Sequence, residues 1–151
     1  MKRNGFTLIE MLAVVVLISV LTAIAVPQYR KSIRRAEAAN ALINLRSVYD
    51  AAKRTYATSG SWPDGLDQVD VSFLEANEDG TVGEFTYSFF DRGMQACYAI
   101  DNGYCLRVVY RDAAGNRDVY SCVYAEGFSQ YQNLCESLGS PCNIDRECVI
   151  Q

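Results

Sequence analysis

Residues 6–27 form a largely apolar segment, in which residues 11–26 are interrupted by only two hydroxyl side chains. As a helix, the segment from Phe6 to Pro27 would span about 30 Å, the thickness of one hydrocarbon core. A secretory signal peptide usually has a shorter apolar region and ends at a small-residue cleavage site. The small residues Ala23 and Ala25 run on into further helix-forming sequence, so the pattern favours a retained membrane anchor.

Glu10 is the lone charge inside this apolar stretch. A carboxylate in a membrane segment is costly unless it is paired. Glu10 could lie near the helix N-terminus and reach the interface, but an otherwise clean apolar segment favours pairing with a specific cation.

Beyond Pro27 the apolar positions take the period of an amphipathic helix. They recur at spacings of 4, 3, 4, 3 and 4, at Ala38, Leu42, Leu45, Tyr49, Ala52 and Tyr56. Gly60 and Pro63 predict the end of this helix near residue 58. A helix over residues 6–58 would be about 80 Å long. The rest of the chain is too small to bury it, so its N-terminal half must contact lipid or other copies of itself.

Four segments rich in aromatic and β-branched residues predict strands at Glu84–Phe90, Gln95–Asp101, Tyr104–Arg111 and Arg117–Tyr124. Asn102-Gly103 predicts a two-residue hairpin, and Asp112–Gly115 predicts a type I turn closed by a glycine bulge. The alternation places six residues on one face: Leu106, Val108, Tyr110, Tyr120, Cys122 and Tyr124. Residues 64–84 are expected to form a loop.

These elements predict an α+β fold. A long N-terminal helix packs on an antiparallel sheet of about four strands, and a disulfide-stapled loop covers residues 126–151.

Composition narrows the possible functions. The chain has 151 residues, enough for one ordinary domain, and no histidine, which excludes histidine-based catalysis and imidazole metal sites. Residues 1–54 carry a net charge of +6, and residues 55–151 carry −10. An acidic head repels nucleic acid, so no nucleic-acid partner is predicted. Neither a cofactor nor a catalytic site is expected.

All six cysteines lie in the last third of the chain: Cys97, Cys105, Cys122, Cys135, Cys142 and Cys148. An even count at irregular spacing predicts disulfides formed in an oxidising compartment. The sequence has no Cys-x-x-Cys, which argues against a zinc site or a thioredoxin-type redox site.

The hairpin registers lead to a prediction of disulfide pairing. With a two-residue turn at Asn102-Gly103, Cys97 lies opposite Val108 and Cys105 points to the other face. A three-residue loop before the last strand puts Cys122 opposite Leu106, two strands from Cys97 and beyond disulfide reach. We therefore expect Cys97, Cys105 and Cys122 each to pair with one of Cys135, Cys142 and Cys148, with the tail over the outer face. The alternative is local pairing, Cys97–Cys105 and Cys142–Cys148, which needs wider or bulged turns.

The run Gly5-Phe6-Thr7-Leu8-Ile9-Glu10-Met11 resembles the prepilin processing signature of type IV pilins and type II secretion pseudopilins. The resemblance continues through Pro27, the amphipathic helix and a Gly-x-aromatic-Pro element at residues 60–63, and thus covers residues 1–63.

The resemblance implies a division into a leader at 1–5, an assembly helix half at 6–27, an amphipathic half at 28–58 and a head at 59–151. A membrane prepilin peptidase would cut after Gly5, and Phe6 would be N-methylated. Glu10 would pair with the N-terminal ammonium of a neighbouring subunit, and Pro27 would bend the helix. The implied partners are the inner membrane, the assembly machinery and further copies of the chain in an extracellular filament.

Three points depart from this pattern or leave it open. Cations at residues 30–35 follow the apolar segment, so charge counting alone would place the head in the cytoplasm, whereas the cysteines indicate the oxidising side. Asp64, Asp67 and Asp70 could belong to a calcium-binding head loop, but no segment matches the Asp-x-Asp-x-Asp-Gly pattern. Besides a pilus subunit, a secretion pseudopilin and a minor pilin acting as a tip binding module remain alternatives.

Overall fold

The computed structural model describes residues 7–72, 80–91, 93–109 and 118–150. The chain divides into two compact units, Met1–Arg34 and Arg35–Gln151. Helix α1, Leu8–Ser59, begins in the first unit and ends in the second. At its C-terminus Gly60 has a φ of 75° and donates its amide to the Tyr56 carbonyl at 2.9 Å. A glycine in this left-handed conformation ends a helix without steric cost, so the predicted end near residue 58 is confirmed.

The described residues of the second unit form a sheet of six antiparallel strands in sequential order. The strands are β1 at Thr81–Val82, β2 at Phe85–Phe90, β3 at Gly93–Tyr98, β4 at Tyr104–Val109, β5 at Val119–Tyr124 and β6 at Glu147–Ile150. Strands β2–β5 correspond to the four predicted ones, while β1 and β6 were not predicted. β1 has only two residues, and β6 lies in a tail segment with little alternation.

The tail is more ordered than the stapled loop that the sequence predicts. A 3₁₀ turn at Ser129–Tyr131 leads into helix α2, Gln132–Leu138, and the chain then returns as β6 on the edge of the sheet. Residues 64–84, which the sequence predicts to be a loop, include a 3₁₀ turn at Leu66–Gln68.

The core of the second unit lies between α1 and one face of the sheet, here called the inner face. The described residues predicted for this face, those of β4 and β5, are buried or half-buried; Tyr110 lies outside the described residues. The buried positions of α1 are Ala38, Ala41, Leu45, Val48, Tyr49, Ala51 and Ala52. The predicted helix stripe is thus confirmed as far as Ala52, whereas Tyr56 remains 51% exposed.

The β4–β5 register is the predicted one, with Leu106 opposite Cys122. The β3–β4 register is not, because Cys97 lies opposite Cys105 rather than opposite Val108. Residues 99–103 form a five-residue connection in place of the two-residue turn. The turn predicted at residues 112–115 lies outside the described residues.

Candidate assembly segment and disulfide framework

The apolar segment of α1 is exposed along its whole length in the first unit. Within the described residues this helix is the one candidate membrane span, and none of its most apolar stretch is buried. Leu8 is 82% exposed and Leu21 is 66% exposed. An apolar surface of this extent needs lipid or protein around it, because its exposure to water is costly.

The two hydroxyl residues of this segment are satisfied within the helix. The Ser19 hydroxyl donates to the Val15 carbonyl at 2.6 Å, and the Thr22 hydroxyl donates to the Ile18 carbonyl at 2.8 Å. Neither side chain therefore needs a polar partner from outside, and both can enter an apolar environment.

Glu10 and Thr7 form a reciprocal cap at the start of α1. The Thr7 amide and the Thr7 hydroxyl both donate to Glu10 Oε2 at 2.8 Å, and the Glu10 amide donates to the Thr7 hydroxyl at 3.4 Å. This arrangement is a capping box, whose Thr-x-x-Glu spacing is readable in the sequence. The other carboxylate oxygen, Oε1, accepts no hydrogen bond among the described residues. Gly5 and Phe6, the predicted processing residues, lie outside them.

Pro27 lies inside α1, which continues through it. Because proline has no amide hydrogen, the Ala23 carbonyl lacks its usual helical donor. The helix therefore has one backbone hydrogen bond fewer at this point and is less stable here than in the apolar segment before it.

Two of the three disulfides are those of the alternative, local pairing. They are Cys97–Cys105, Cys122–Cys135 and Cys142–Cys148. The prediction that Cys97 and Cys105 pair with tail cysteines is therefore wrong, while Cys122 does pair with one, Cys135. The tail is held on the inner face through α2, not stapled over the outer face.

The β3–β4 connection explains the error in register. Asp101 Oδ1 accepts the amide of Gly103 at 2.8 Å, and Asp101 Oδ2 accepts the hydroxyl of Tyr131 at 2.6 Å. These bonds to one carboxylate hold a wider loop than Asn-Gly alone would form. A side chain on Gly103 would overlap the rings of Tyr131 and Phe128, so glycine is required here by packing.

The pKa of Tyr131 is raised to about 12, mainly by burial and secondly by the hydrogen bond to Asp101. Burial also raises the pKa of Tyr104, whose ring lies 4.8 Å from that of Tyr131. Both phenols therefore stay neutral at physiological pH and serve packing. Sequence reasoning missed this cluster, since its members come together only through the fold.

Asp118 joins the sheet to the amphipathic half of α1. Its carboxylate accepts the Tyr49 hydroxyl and the Lys53 ammonium, both at 2.9 Å. The hydrogen bond to Asp118 raises the pKa of Lys53. This contact fixes the position of α1 against β5 within the second unit.

The acidic residues considered for calcium are exposed. The carboxylate of Asp64 accepts a hydrogen bond from the Gln68 side chain. No group of three or more metal-ligating side chains occurs in the part of the chain that the structure describes.

Comparisons with known proteins find matches to the N-terminal part of the chain. Residues 1–26 match the family model of the prokaryotic N-terminal methylation motif. The chain is 32% identical over 79 residues to a type IV major pilin protein, PilA, of Myxococcus xanthus, which covers 52% of this chain and 36% of the relative. It is 32% identical over 70 residues to PilE1, a type IV major pilin protein of Neisseria gonorrhoeae, covering 46% of this chain and 42% of the relative.

A fimbrial protein, EcpC, of Eikenella corrodens is 34% identical over 61 residues, 40% of each chain. The chain thus spans well under half the length of these curated relatives. No solved structure matches it.

Proposed function

We propose that this chain, whose N-terminal segment is that of the type IV pilin family, is a structural subunit of an extracellular pilus filament. The observation that carries the proposal is the fully exposed apolar part of α1, which lies within the residues that match the methylation motif. An apolar helix of this length has two stable environments, a bilayer before assembly and a bundle of identical helices afterwards. The relatives named as type IV major pilins support the same role.

Processing is the first step of the proposed function. A prepilin peptidase of the inner membrane cuts after Gly5, and Phe6 becomes the N-methylated first residue. The motif match over residues 1–26 supports this step.

Assembly is the second step, and it depends on the charge of Glu10. Cleavage creates an α-ammonium at Phe6 inside the apolar region, where a carboxylate is the partner that lowers its cost. Glu10 Oε2 accepts hydrogen bonds from Thr7, whereas Oε1 accepts none from the described residues and is the oxygen that we assign to the ammonium of a neighbouring subunit. The apolar helix halves then pack side by side, and the head remains outside the filament core.

The disulfides support a location outside the cytoplasm. Three bonds use all six cysteines, which suits the oxidising space beyond the inner membrane. The head therefore folds on that side before the subunit enters the filament.

The proposal is tested on filaments sheared from cells that express the chain. Electron microscopy should show pili, and intact-mass measurement of their main component should match residues 6–151 plus one methyl group with three disulfides. Cells that express the chain and its processing enzymes, yet shed no filament containing it, would contradict the proposal.

A further inference from the structure

Three cations follow the apolar segment of α1: Arg30, Lys31 and Arg34. We call them the cationic turn. All three are exposed, and the ion pairs among the described residues do not include them. Arg35 differs, because its Nε donates to the Ser137 hydroxyl at 3.0 Å and so belongs to the second unit.

The cationic turn occupies one side of the helix. At 100° per residue, its three side chains fall within about 100° of the circumference. Tyr29 and Ile33, one turn apart, lie outside this arc, centred about 130° from the middle of it, and are 68% and 38% exposed. Cations that reach outward beside an aromatic residue are typical of a helix at a membrane–water interface.

The spacing along the helix places these residues at headgroup depth. Leu8–Val26 spans about 28 Å, close to the hydrocarbon thickness of about 30 Å. Arg30 and Lys31 lie about 6–8 Å beyond Val26, within a headgroup layer of about 5–8 Å. Arg34 lies about 12 Å beyond Val26, and its long side chain can reach back toward the layer.

The orientation of α1 in the membrane puts these three cations on the side where positive charge is unusual. The disulfides put the head on the oxidising side of the membrane, so the cations lie on the side where positive charge opposes insertion. Negative charge in the adjacent leaflet would offset this cost, because each cation near an anionic surface gains about fivefold in binding.

We propose that the cationic turn binds anionic phospholipid headgroups in the outer leaflet of the inner membrane. Binding holds the unassembled subunit at a fixed depth, and entry into a filament requires release of these lipids. The inference rests on the membrane-resident stage of the proposed function.

The test uses the full chain in vesicles of equimolar phosphatidylglycerol and phosphatidylcholine. The protein is extracted in mild detergent, and the lipids retained with it are counted by native mass spectrometry. We expect phosphatidylglycerol to be enriched about fivefold or more over the bulk ratio. The triple variant Arg30→Gln/Lys31→Gln/Arg34→Gln should fall to near the bulk ratio. The control Arg46→Gln/Arg54→Gln/Arg107→Gln removes the same charge from the second unit and should keep the enrichment.

Equal lipid ratios in the wild type and the first variant would overturn the proposal. If the triple variant also loses filaments while its phosphatidylglycerol enrichment equals that of the wild type, the proposal is overturned and the cations are assigned to contacts between subunits. Loss of the enrichment on adding inorganic phosphate at constant ionic strength would point to a free anion instead. Filaments of the wild-type chain are scored separately, so failure of the lipid assay leaves the proposed function standing.

Discussion

Within the part of the chain that the structure describes, the carboxylate of Glu10 accepts hydrogen bonds on one oxygen, to which the amide and the hydroxyl of Thr7 both donate. The bonds hold the side chain along the start of α1 and keep the second oxygen available. A local cap of this kind stabilises the charge before a partner arrives and fixes the direction from which an ammonium can approach. Position and charge together suit a carboxylate that is used in assembly.

We predict that Glu10→Leu inserts into the membrane and is cleaved normally but yields few filaments. The substitution leaves the ammonium of the next subunit unpaired in an apolar bundle, where an isolated charge is strongly disfavoured. Quantifying sheared pili against total subunit by immunoblot measures the effect. Ser19→Ala, which removes a self-satisfied hydroxyl from the same surface, should assemble as the wild type does. Filament yields from Glu10→Leu equal to the wild type would show that the residue is only tolerated.

Asp101 has a comparable role in the head, because its carboxylate ties the β3–β4 connection to Tyr131. Tyr131 is 4% exposed, so its hydroxyl would have little access to water without this partner.

We predict that Tyr131→Phe lowers the free energy of unfolding by about 1–2 kcal/mol, since it removes a charge-assisted hydrogen bond from a buried group. The pKa of Tyr131 is raised to about 12, so the unfolded chain loses this proton first, near pH 10. The stabilisation is therefore complete below about pH 10 and declines as pH rises toward 12.

Urea unfolding from about pH 8 to about pH 11 measures both effects, and the variant should show the shallower decline at high pH. Tyr56→Phe, at an exposed position, is the matched control. An unchanged urea midpoint for Tyr131→Phe would mean that the Asp101 contact adds nothing to stability.

At the level of elements, the alternation of the strands was predictable and one of the two hairpin registers was not. The helix-facing side of β4 and β5 is confirmed by the burial of Leu106, Val108 and Cys122, and the register of these strands by Leu106 opposite Cys122. Asn102-Gly103 suggested a two-residue turn, but the connection is set by the bonds of Asp101 to Gly103 and to Tyr131, 30 residues away. Local turn preferences do not include a contact of that range, so the pairing predicted for Cys97 and Cys105 failed with it, while that of Cys122 with a tail cysteine did not.

We predict unequal contributions from the disulfides. Replacing Cys122 and Cys135 with alanine should lower the free energy of unfolding by about 3–5 kcal/mol, because the bond closes the longer loop and both cysteines are fully buried. Replacing Cys97 and Cys105, which are half-buried and already paired across adjacent strands, should cost about 2 kcal/mol.

Peptide mapping without reduction establishes the pairing, and urea titration of each double variant gives the cost. A larger loss for the Cys97 and Cys105 pair would contradict the ranking. A peptide joining Cys97 to a tail cysteine would restore the pairing expected from the two-residue turn.

Over the whole molecule, the N-terminal half was the most predictable part. The apolar run, Glu10 and the Gly-Phe junction are local features, and their order along the chain carries the family resemblance. The head depends on contacts between distant residues, such as Asp118 with Tyr49, which no local pattern records. The roles of Gly5 and Phe6 stay predictions.

We predict that Gly5→Val blocks cleavage and leaves the whole chain as a membrane-held precursor. A branched side chain at the junction hinders the peptidase, and without cleavage no ammonium forms at Phe6. Intact-mass measurement of the membrane fraction distinguishes residues 1–151 from 6–151. Asn4→Ala, one residue earlier, should be processed normally. A mature chain that begins near Val26 would instead identify a secretory signal peptide.

The sequential order of the six strands has a consequence for how the head is made. Each strand pairs with the one before it along the chain, and each cysteine bonds to the next cysteine, at separations of 8, 13 and 6 residues. Short sequence separations favour fast folding. In the export that the proposed function requires, an oxidase that joins cysteines in order of appearance would produce the native set. The head can therefore mature without a disulfide isomerase, at the pace at which it is delivered.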